Sequence, residues 1–545
     1  MRARPLPLTL VALATAAVTV ATALPATAAT AMGPSTTTHP YVLPVASGVD
    51  ISSLLTVNDA GSASNGFEMV GIPDGLGAYR QGSSTVALMN HELRPTSGAA
   101  RRHGQAGAFV SKLTIAKNGT VTEGSDFINP GVKYWDYVTN SYAAAPVAPE
   151  DYVRTQPSDH TSPFARFCSG FLSEPGQFLV GPGKDGNGDG QGRGKKQIGY
   201  DGQIYFANEE TGNEGRAFGV TLDGQAYQLP RLGLFSWENT IAAPNQSLTT
   251  VIMGNEDATP GEIWVYVGKK QDAGLPVDQA GLTNGRNHVL RVPGLTKAAG
   301  TNTDAGFRAA YPKGTKAPFE LQDIEWDQSG AAQNREAVAE DGLGLTRVED
   351  GAFNPANKNE YFFVTTEGGD KTPATTGSRD GGGLWKMTFR DVERPALGGT
   401  LELVLDGSEA WGAGESRTNK PDNMVIDRGG NLLIQEDPGT NDHLARILSY
   451  DISTGARGVL ARFDAARFGR QNAANPDFFT TDEESSGIIQ LNDGSYLFDA
   501  QVHTAKGLPA GTGPNTVQEY VENGQLLTMT VDDFDKVYAA DGDDD

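Results

Sequence analysis

Cysteine is almost absent from this chain: Cys168 is the only one in 545 residues. No intramolecular disulfide can form, and a lone thiol is either buried and inert or bound to something. Long apolar runs are equally scarce, and after the stretch from Leu6 to Leu24 none is long enough to suggest a spanning helix. Positive charge is also short, with 43 basic residues against 67 acidic ones and a formal net charge of −24. Such a balance argues against binding nucleic acid or an anionic membrane by bulk attraction, and makes divalent cations the natural partners. The seven histidines are scattered, which disfavours a His-rich zinc or copper centre. No G-x-S-x-G elbow, P-loop or H-E-x-x-H helix is present, so three common routes to hydrolysis lose their usual signals.

The chain starts with Arg2 and Arg4, an Ala- and Thr-rich apolar run, and small residues at Ala26, Ala28 and Ala29. That pattern predicts an export signal over residues 1–29 and a soluble, secreted mature protein. Residues 30–48 are expected to be disordered, residues 49–531 to form one large domain without a clear linker, and residues 532–545 to be an acidic tail.

Short runs of Val, Ile, Leu, Tyr and Phe punctuated by Gly, Asn, Asp and Pro predict an all-β chain. Six of these runs end in polar or acidic residues: Asn90-His91-Glu92, Asn208-Glu209-Glu210, Asn255-Glu256-Asp257, Thr365-Thr366-Glu367, Gln435-Glu436-Asp437, and Asp499 to His503. Most are followed by a loop and a second apolar run, as at Gly107 to Val110, Gly215 to Phe218, Gly261 to Tyr266 and Gly383 to Met387. A recurring hairpin of this kind suits a six-bladed β-propeller with long loop insertions, in which equivalent strand ends meet at a central channel. A large β-sandwich is the competing fold, and it would not gather the six ends. Carboxylates crowded at a channel repel one another, so cations must compensate, and Asp, Glu and Asn oxygens suit hard ions such as Ca2+.

Individual segments carry further expectations. Cys168, read as part of a Pro- and Gly-rich loop in Arg166-Phe167-Cys168-Ser169-Gly170, is a candidate ligand for a transition metal such as iron. Asp185-Gly186-Asn187-Gly188-Asp189-Gly190 matches the first half of a calcium loop, but Lys196 stands where its Glu would be. Arg347 and Glu349 are placed on one side of an extended segment, the first for a tetrahedral oxyanion and the second for a metal. Pro421-Asp422-Asn423 reads as a turn, with Asp422 and Asn423 as ligands, and Glu484 and His503 would close the ring. The strand-end residues Glu92, Glu209, Glu210, Glu256, Asp257 and Asp437 are further metal candidates.

In order along the chain, Asn90-His91-Glu92, Cys168-Ser169-Gly170, Glu209-Glu210, Phe235 to Asn239, Asn255-Glu256-Asp257, Arg347-Val348-Glu349, Pro421-Asp422-Asn423, Glu484 and His503 resemble the PhoX-type alkaline phosphatases over about Val49 to His503. That resemblance implies an exported monomeric phosphatase acting on small phosphate monoesters, using several Ca2+ and Fe3+ without a covalent phosphoserine. It makes Cys168 an iron ligand, Glu92, Glu210, Glu238, Glu349 and Glu484 metal ligands, and Arg347 a phosphoryl contact. Arg347 and Glu349 are assigned catalysis, and Asn90 joins Arg347 at the substrate. Trp237 stands where such proteins often have His, Val348 where they often have Pro, and the leader has Arg2-Ala3-Arg4 without adjacent arginines. A calcium-dependent propeller lactonase and a non-enzymatic secreted calcium-binding propeller are the alternatives.

Overall fold

Short β-branched and aromatic runs broken every few residues by Gly, Asn or Asp favour antiparallel hairpins over helices. The computed structural model describes residues 28–182, 197–367, 382–412, 414–440 and 442–539, and almost every ordered element within it is a strand. The expected export signal falls outside the described residues except at its last two positions, and the calcium-loop segment with Lys196 falls wholly outside them.

The strands form consecutive four-stranded antiparallel units. Their first strands are Pro73–Gln81, Phe167–Leu172, Trp237–Ala242, Val348–Asn354, Pro421–Ile426 and Glu483–Gln490, and each touches the next in a closed ring. The molecule is a β-propeller, and a sandwich is excluded. The third and fourth units merge into one nine-stranded sheet, because Ala317–Ile324 pairs with both Arg286–Arg291 and Gly399–Asp406.

A single backbone contact repeats in every unit. The amide of the residue ending the second strand donates to the carbonyl just before the first: Glu92 to Ile72, Glu210 to Arg166, Asp257 to Ser236, Thr366 to Arg347, Asp437 to Lys420 and His503 to Asp482, all at 2.8–3.0 Å. Four of those acceptor residues, Ile72, Arg166, Arg347 and Lys420, have φ between 44° and 51°. Non-glycine residues adopt that conformation at a cost of about 1–3 kcal/mol, so the surrounding structure must hold it in place.

Apolar side chains fill the spaces between neighbouring units. Leu88, Phe167 and Phe218 pack between the first and second, and Phe206, Ile252 and Trp264 between the second and third. Val265, Phe363 and Trp385 follow, then Val364, Met424 and Ile434, then Ile447, Phe498 and Leu527, and finally Leu55, Met89 and Leu526 back at the first. Each fully buried side chain of this size contributes about 1.5–3 kcal/mol. At the axis the strands come closer still, where a Cβ on Gly75 would lie 2.0 Å from Gly170 N.

One sequence expectation is corrected at the start of the domain. Residues 30–48 are packed rather than disordered: Ala29–Met32 runs parallel to Val49–Thr56, and Val42–Pro44 pairs with Arg457–Phe463. Apolar Tyr41 and Val42 are buried there, which composition alone did not reveal. The expected acidic tail begins with a helix, Phe534–Ala539, whose Val537 is buried against the outside of the fifth unit. Val49–Thr56 itself supplies the outer strand of the last unit, pairing with Asn523–Val531, so the start of the domain closes the ring against its end. Among the described residues, no helix is long and apolar enough to cross a membrane.

Asp59 holds the N-terminal segment in place. It accepts hydrogen bonds from both Thr36 and Thr37 hydroxyls and from Thr37 N at 2.7 Å. Partial burial works against its charge, but these donors bring its pKa down to about 2. A depressed carboxylate pKa stabilises the fold above the unfolded value and loses that effect as pH falls through the folded one. Asp59→Asn should therefore cost about 1–2 kcal/mol at pH 6. The gap to wild type should close between about pH 4 and pH 2. Urea unfolding at stepped pH measures this, and a gap that persists undiminished at pH 2 contradicts it.

Candidate metal centre

The strand-end triplets divide their work by the period-2 alternation of a strand. In four of the six strand ends the residue two before the last reaches the next unit. Asn90 donates to Cys168 O at 2.7 Å and accepts from the Tyr205 hydroxyl at 2.9 Å, while Asn255 does the same with Glu349 O and Tyr361. Gln435 clamps Ser485 and Ser486 O, and Gln501 donates to Asp74, Glu92 and Ser486. The middle position faces the other way and ties to the third strand of its own unit. Glu209 forms a fork with Arg216 at 2.6 Å on both oxygens, Glu256 accepts from Trp264 Nε1 at 2.8 Å and from Asn334, and Glu436 pairs with Arg446. At Glu92 and Glu210 the last position turns to the channel.

Three expectations are thereby corrected. Glu209 and Glu256 are not brought into the centre, because adjacent strand residues cannot face the same way. Asn90 has both ends of its amide engaged inside the protein, so it positions the Cys168 strand and does not reach a substrate.

The channel is lined by the second residue of each inner strand: Asp74, Cys168, Glu238, Glu349, Asp422 and Glu484. Cys168 lies in a strand and not in the expected loop, and Pro421-Asp422-Asn423 opens a strand rather than forming a turn. Gly and Pro made both segments look like loops, yet here they serve close approach of strands and a strand start.

Three groups of ligand atoms lie within 4.8 Å of one another: Asp74, Glu92 and Cys168; Cys168, Glu210 and Glu238; Glu238, Glu349 and Asp422. Cys168 and Glu238 are each shared, so the groups form one continuous belt across five units. The Cys168 thiol donates to Glu238 Oε2 at 3.1 Å, and Ser169 donates to Glu238 Oε1 at 2.6 Å while accepting from Asn423 at 2.6 Å. Asp350, one residue past Glu349, accepts from Asn239 at 2.6 Å and from Met424 N at 3.1 Å and so braces the strands beneath the belt.

Electrostatics here are strained. Burial, then neighbouring carboxylates, push Asp74, Glu238, Glu349 and Asp422 well above the usual carboxylate range. Glu210 rises to about 8, mainly by burial, although Arg166 opposes the shift. Burial and the Asp74 and Glu238 charges raise the Cys168 thiol as well. Neither oxygen of Glu349 accepts a hydrogen bond, nor does the buried Asn423 Oδ1. Orphaned buried acceptors beside crowded carboxylates and a thiol fit a set of cations, hard ones at the oxygens and a softer one at sulfur.

The remaining candidates stand around the belt. Arg347 forks onto Asp257 at 2.8 and 2.7 Å and lies 3.2 Å from Glu349. The two meet as expected, although Arg347 precedes the strand at φ 47° and is not itself extended. Asp437 lies outside the three groups, half-buried, its Oδ1 accepting from Gly439 N. Glu484 is raised by burial and by Asp437, and it sits 3.6 Å from His503 Nε2. His503 Nδ1 is 2.8 Å from Glu522, and both carboxylates hold its proton despite burial. His503 thus stands between Glu484 and Glu522, each ring nitrogen facing a carboxylate. Trp237 is buried and stacked on Phe235, outside the belt. Sequence reasoning gave no role to Asp74, because Pro73-Asp74-Gly75 looks like a turn. The signal that finds it is its place two residues after the end of the repeating backbone contact, shared with Cys168 and Glu349.

Fold and site together define a propeller whose channel holds a thiol–carboxylate centre able to bind metal ions. The profile of the family described as Alkaline phosphatase PhoX matches residues 187–498, more than half the chain. The protein belongs to the PhoX alkaline phosphatase family and is a phosphatase. Among solved structures it is similar to Pseudomonas fluorescens PhoX in complex with vanadate, a transition state analogue, with a TM-score of 0.55 and 11% identity over 92% of this chain and 99% of that one. A putative 6-phosphogluconolactonase from Bacteroides uniformis is far less similar, with a TM-score of 0.28 and 12% identity over 69% of this chain and 80% of that one. No curated protein matches the chain in sequence.

Without cations, removing one belt charge should relieve repulsion. Asp422→Asn is expected to stabilise the metal-free protein by about 1–4 kcal/mol and to reduce the gain in stability from added divalent cation. Calorimetry with and without chelator checks both, and a variant less stable than wild type in chelator contradicts the repulsion account.

Proposed function

We propose that the protein is an exported phosphatase acting on small phosphate monoesters, with Ca2+ at the carboxylates and Fe3+ at Cys168. The observation that carries this reading is the belt of three linked groups, in which a single thiol sits among carboxylates and a guanidinium stands at the edge. Glu92, Glu210, Glu238, Glu349 and Asp422 are its proposed metal ligands, with Asp74 and Asn423 Oδ1 added by their geometry. When bound, such ions supply positive charge to the phosphoryl oxygens and ease formation of the nucleophile from water.

The protein's own side chains do the rest. Asp257 fixes the plane of the Arg347 guanidinium, leaving Nη1 without a protein partner among the described residues, and the side chain is 28% exposed. A preorganised fork of this kind gains most where charge spreads over equatorial phosphoryl oxygens in the transition state. Ser169 is no nucleophile in this scheme, because it is buried with its hydroxyl engaged by Glu238 and Asn423. Cys168 would hold such an ion as a thiolate, the proton that its thiol otherwise shares with Glu238 being released to solvent. That the similar Pseudomonas fluorescens PhoX is found in complex with vanadate, a transition state analogue, supports phosphoryl chemistry.

Natively exported protein should hydrolyse p-nitrophenyl phosphate at alkaline pH, carry a violet ferric-thiolate colour, and lose activity in chelator. Cys168→Ser should lose the colour with the iron. Activity that survives exhaustive chelation contradicts the reading. Arg347→Ala should lower turnover about 10²–10³-fold at near-normal metal content. Unchanged turnover per metal would remove Arg347 from the reaction.

A further inference from the structure

Arg166 occupies, in the second unit, the place that Arg347 occupies in the fourth. Each immediately precedes its inner strand, at φ 44° and 47°. The carbonyl of each accepts from the end of the second strand at 2.9 and 2.8 Å. A belt residue follows two positions later, Cys168 in one unit and Glu349 in the other. Each guanidinium is anchored by the carboxylate ending the second strand of the preceding unit: Arg347 by Asp257, and Arg166 by Glu92 at 2.5 Å. Arg166 gains a second anchor in Glu210 of its own unit, as Arg347 does in Glu349. Its Nη1 likewise has no protein partner among the described residues, and its side chain is 40% exposed.

The two arginines face one belt. Glu210, held by Arg166, senses Asp257, held by Arg347, and the intervening third unit contributes Glu238 between them. A buried ion pair needed only for neutrality would be satisfied by any cation, whereas a fork locked in strained backbone with one nitrogen free is preorganised for an external planar or tetrahedral anion.

We propose that Arg166 is a second phosphoryl-oxygen contact, opposing Arg347 across the third unit, and that the pair selects a dianionic terminal phosphate over the monoanion of a diester. The inference rests on the functional reading of Arg347 above. A phosphate monoester carries close to two negative charges near and above neutral pH, and a diester carries one, so a second guanidinium favours the monoester.

The test uses metal-loaded enzyme. Arg166→Ala should lower kcat/KM for p-nitrophenyl phosphate by about 10²-fold or more. It should lower kcat/KM for bis(p-nitrophenyl) phosphate by less than about tenfold, the size of a lost charge-assisted hydrogen bond. Inhibition by inorganic phosphate should weaken about tenfold or more, again the loss of one charge-assisted contact. Metal content and melting temperature are measured on the same samples. Arg166→Lys keeps a charge beside Glu92 and Glu210 but loses the fork, so it should keep its metals, still bind phosphate more weakly, and decide the matter if the alanine variant does not fold. An unchanged monoester-to-diester ratio and unchanged phosphate inhibition in the folded variant overturn the proposal. Arg347→Ala run alongside separates the two ideas: loss there with none at Arg166 sinks only the second contact, and loss at neither sinks the phosphatase site itself.

Discussion

The structure is organised around a repulsion. Six units deliver one ligand-type side chain each to a common axis, and five of the six are carboxylic acids in a place with little water. Left charged and bare, those groups would push the ring apart, so the apolar packing between units must be strong enough to keep them together until cations arrive. The wedges of Phe, Trp, Leu and Ile between every pair of neighbours supply that force, and they close a full circle with no open edge.

Between the apolar wedges and the belt lies a polar layer that sets geometry. Asn90, Asn255, Gln435 and Gln501 each hold the inner strand of the following unit, two of them through the backbone carbonyl of a belt residue. Glu209 with Arg216 and Glu436 with Arg446 are buried pairs that lock each unit internally. Such pairs add little net stability but leave a costly orphan charge if halved, which fixes the register of the strands they join. The positions of the belt atoms are thus inherited from contacts one residue away on the same strands.

Much of this was legible in the sequence. The repeated strand-then-acid pattern gave the propeller, and Glu92, Cys168, Glu210, Glu238, Glu349 and Asp422 all reach the belt. What was not legible follows from facing. Glu209 beside Glu210, and Glu256 beside Asp257, look alike as residue types, and only alternation along the strand separates the one that meets Arg216 or Trp264 from the one that meets the channel. Asp74 was hidden because Gly75 marks a close crossing of strands, which in sequence resembles a turn. Residues 30–48 looked disordered because their few buried groups, such as Tyr41 and Val42, pack against strands more than 400 positions away.

Val49–Thr56 leaves the ribosome well before its partner Asn523–Val531 is made, so the circle stays open in between. Gln501 and Glu484, which complete the surroundings of Asp74 and Glu92, also come late. A chain without Asn523–Val531 therefore carries Glu238 and Cys168 without the walls that confine them. The confined centre exists only once Asn523–Val531 has been made and has paired with Val49–Thr56.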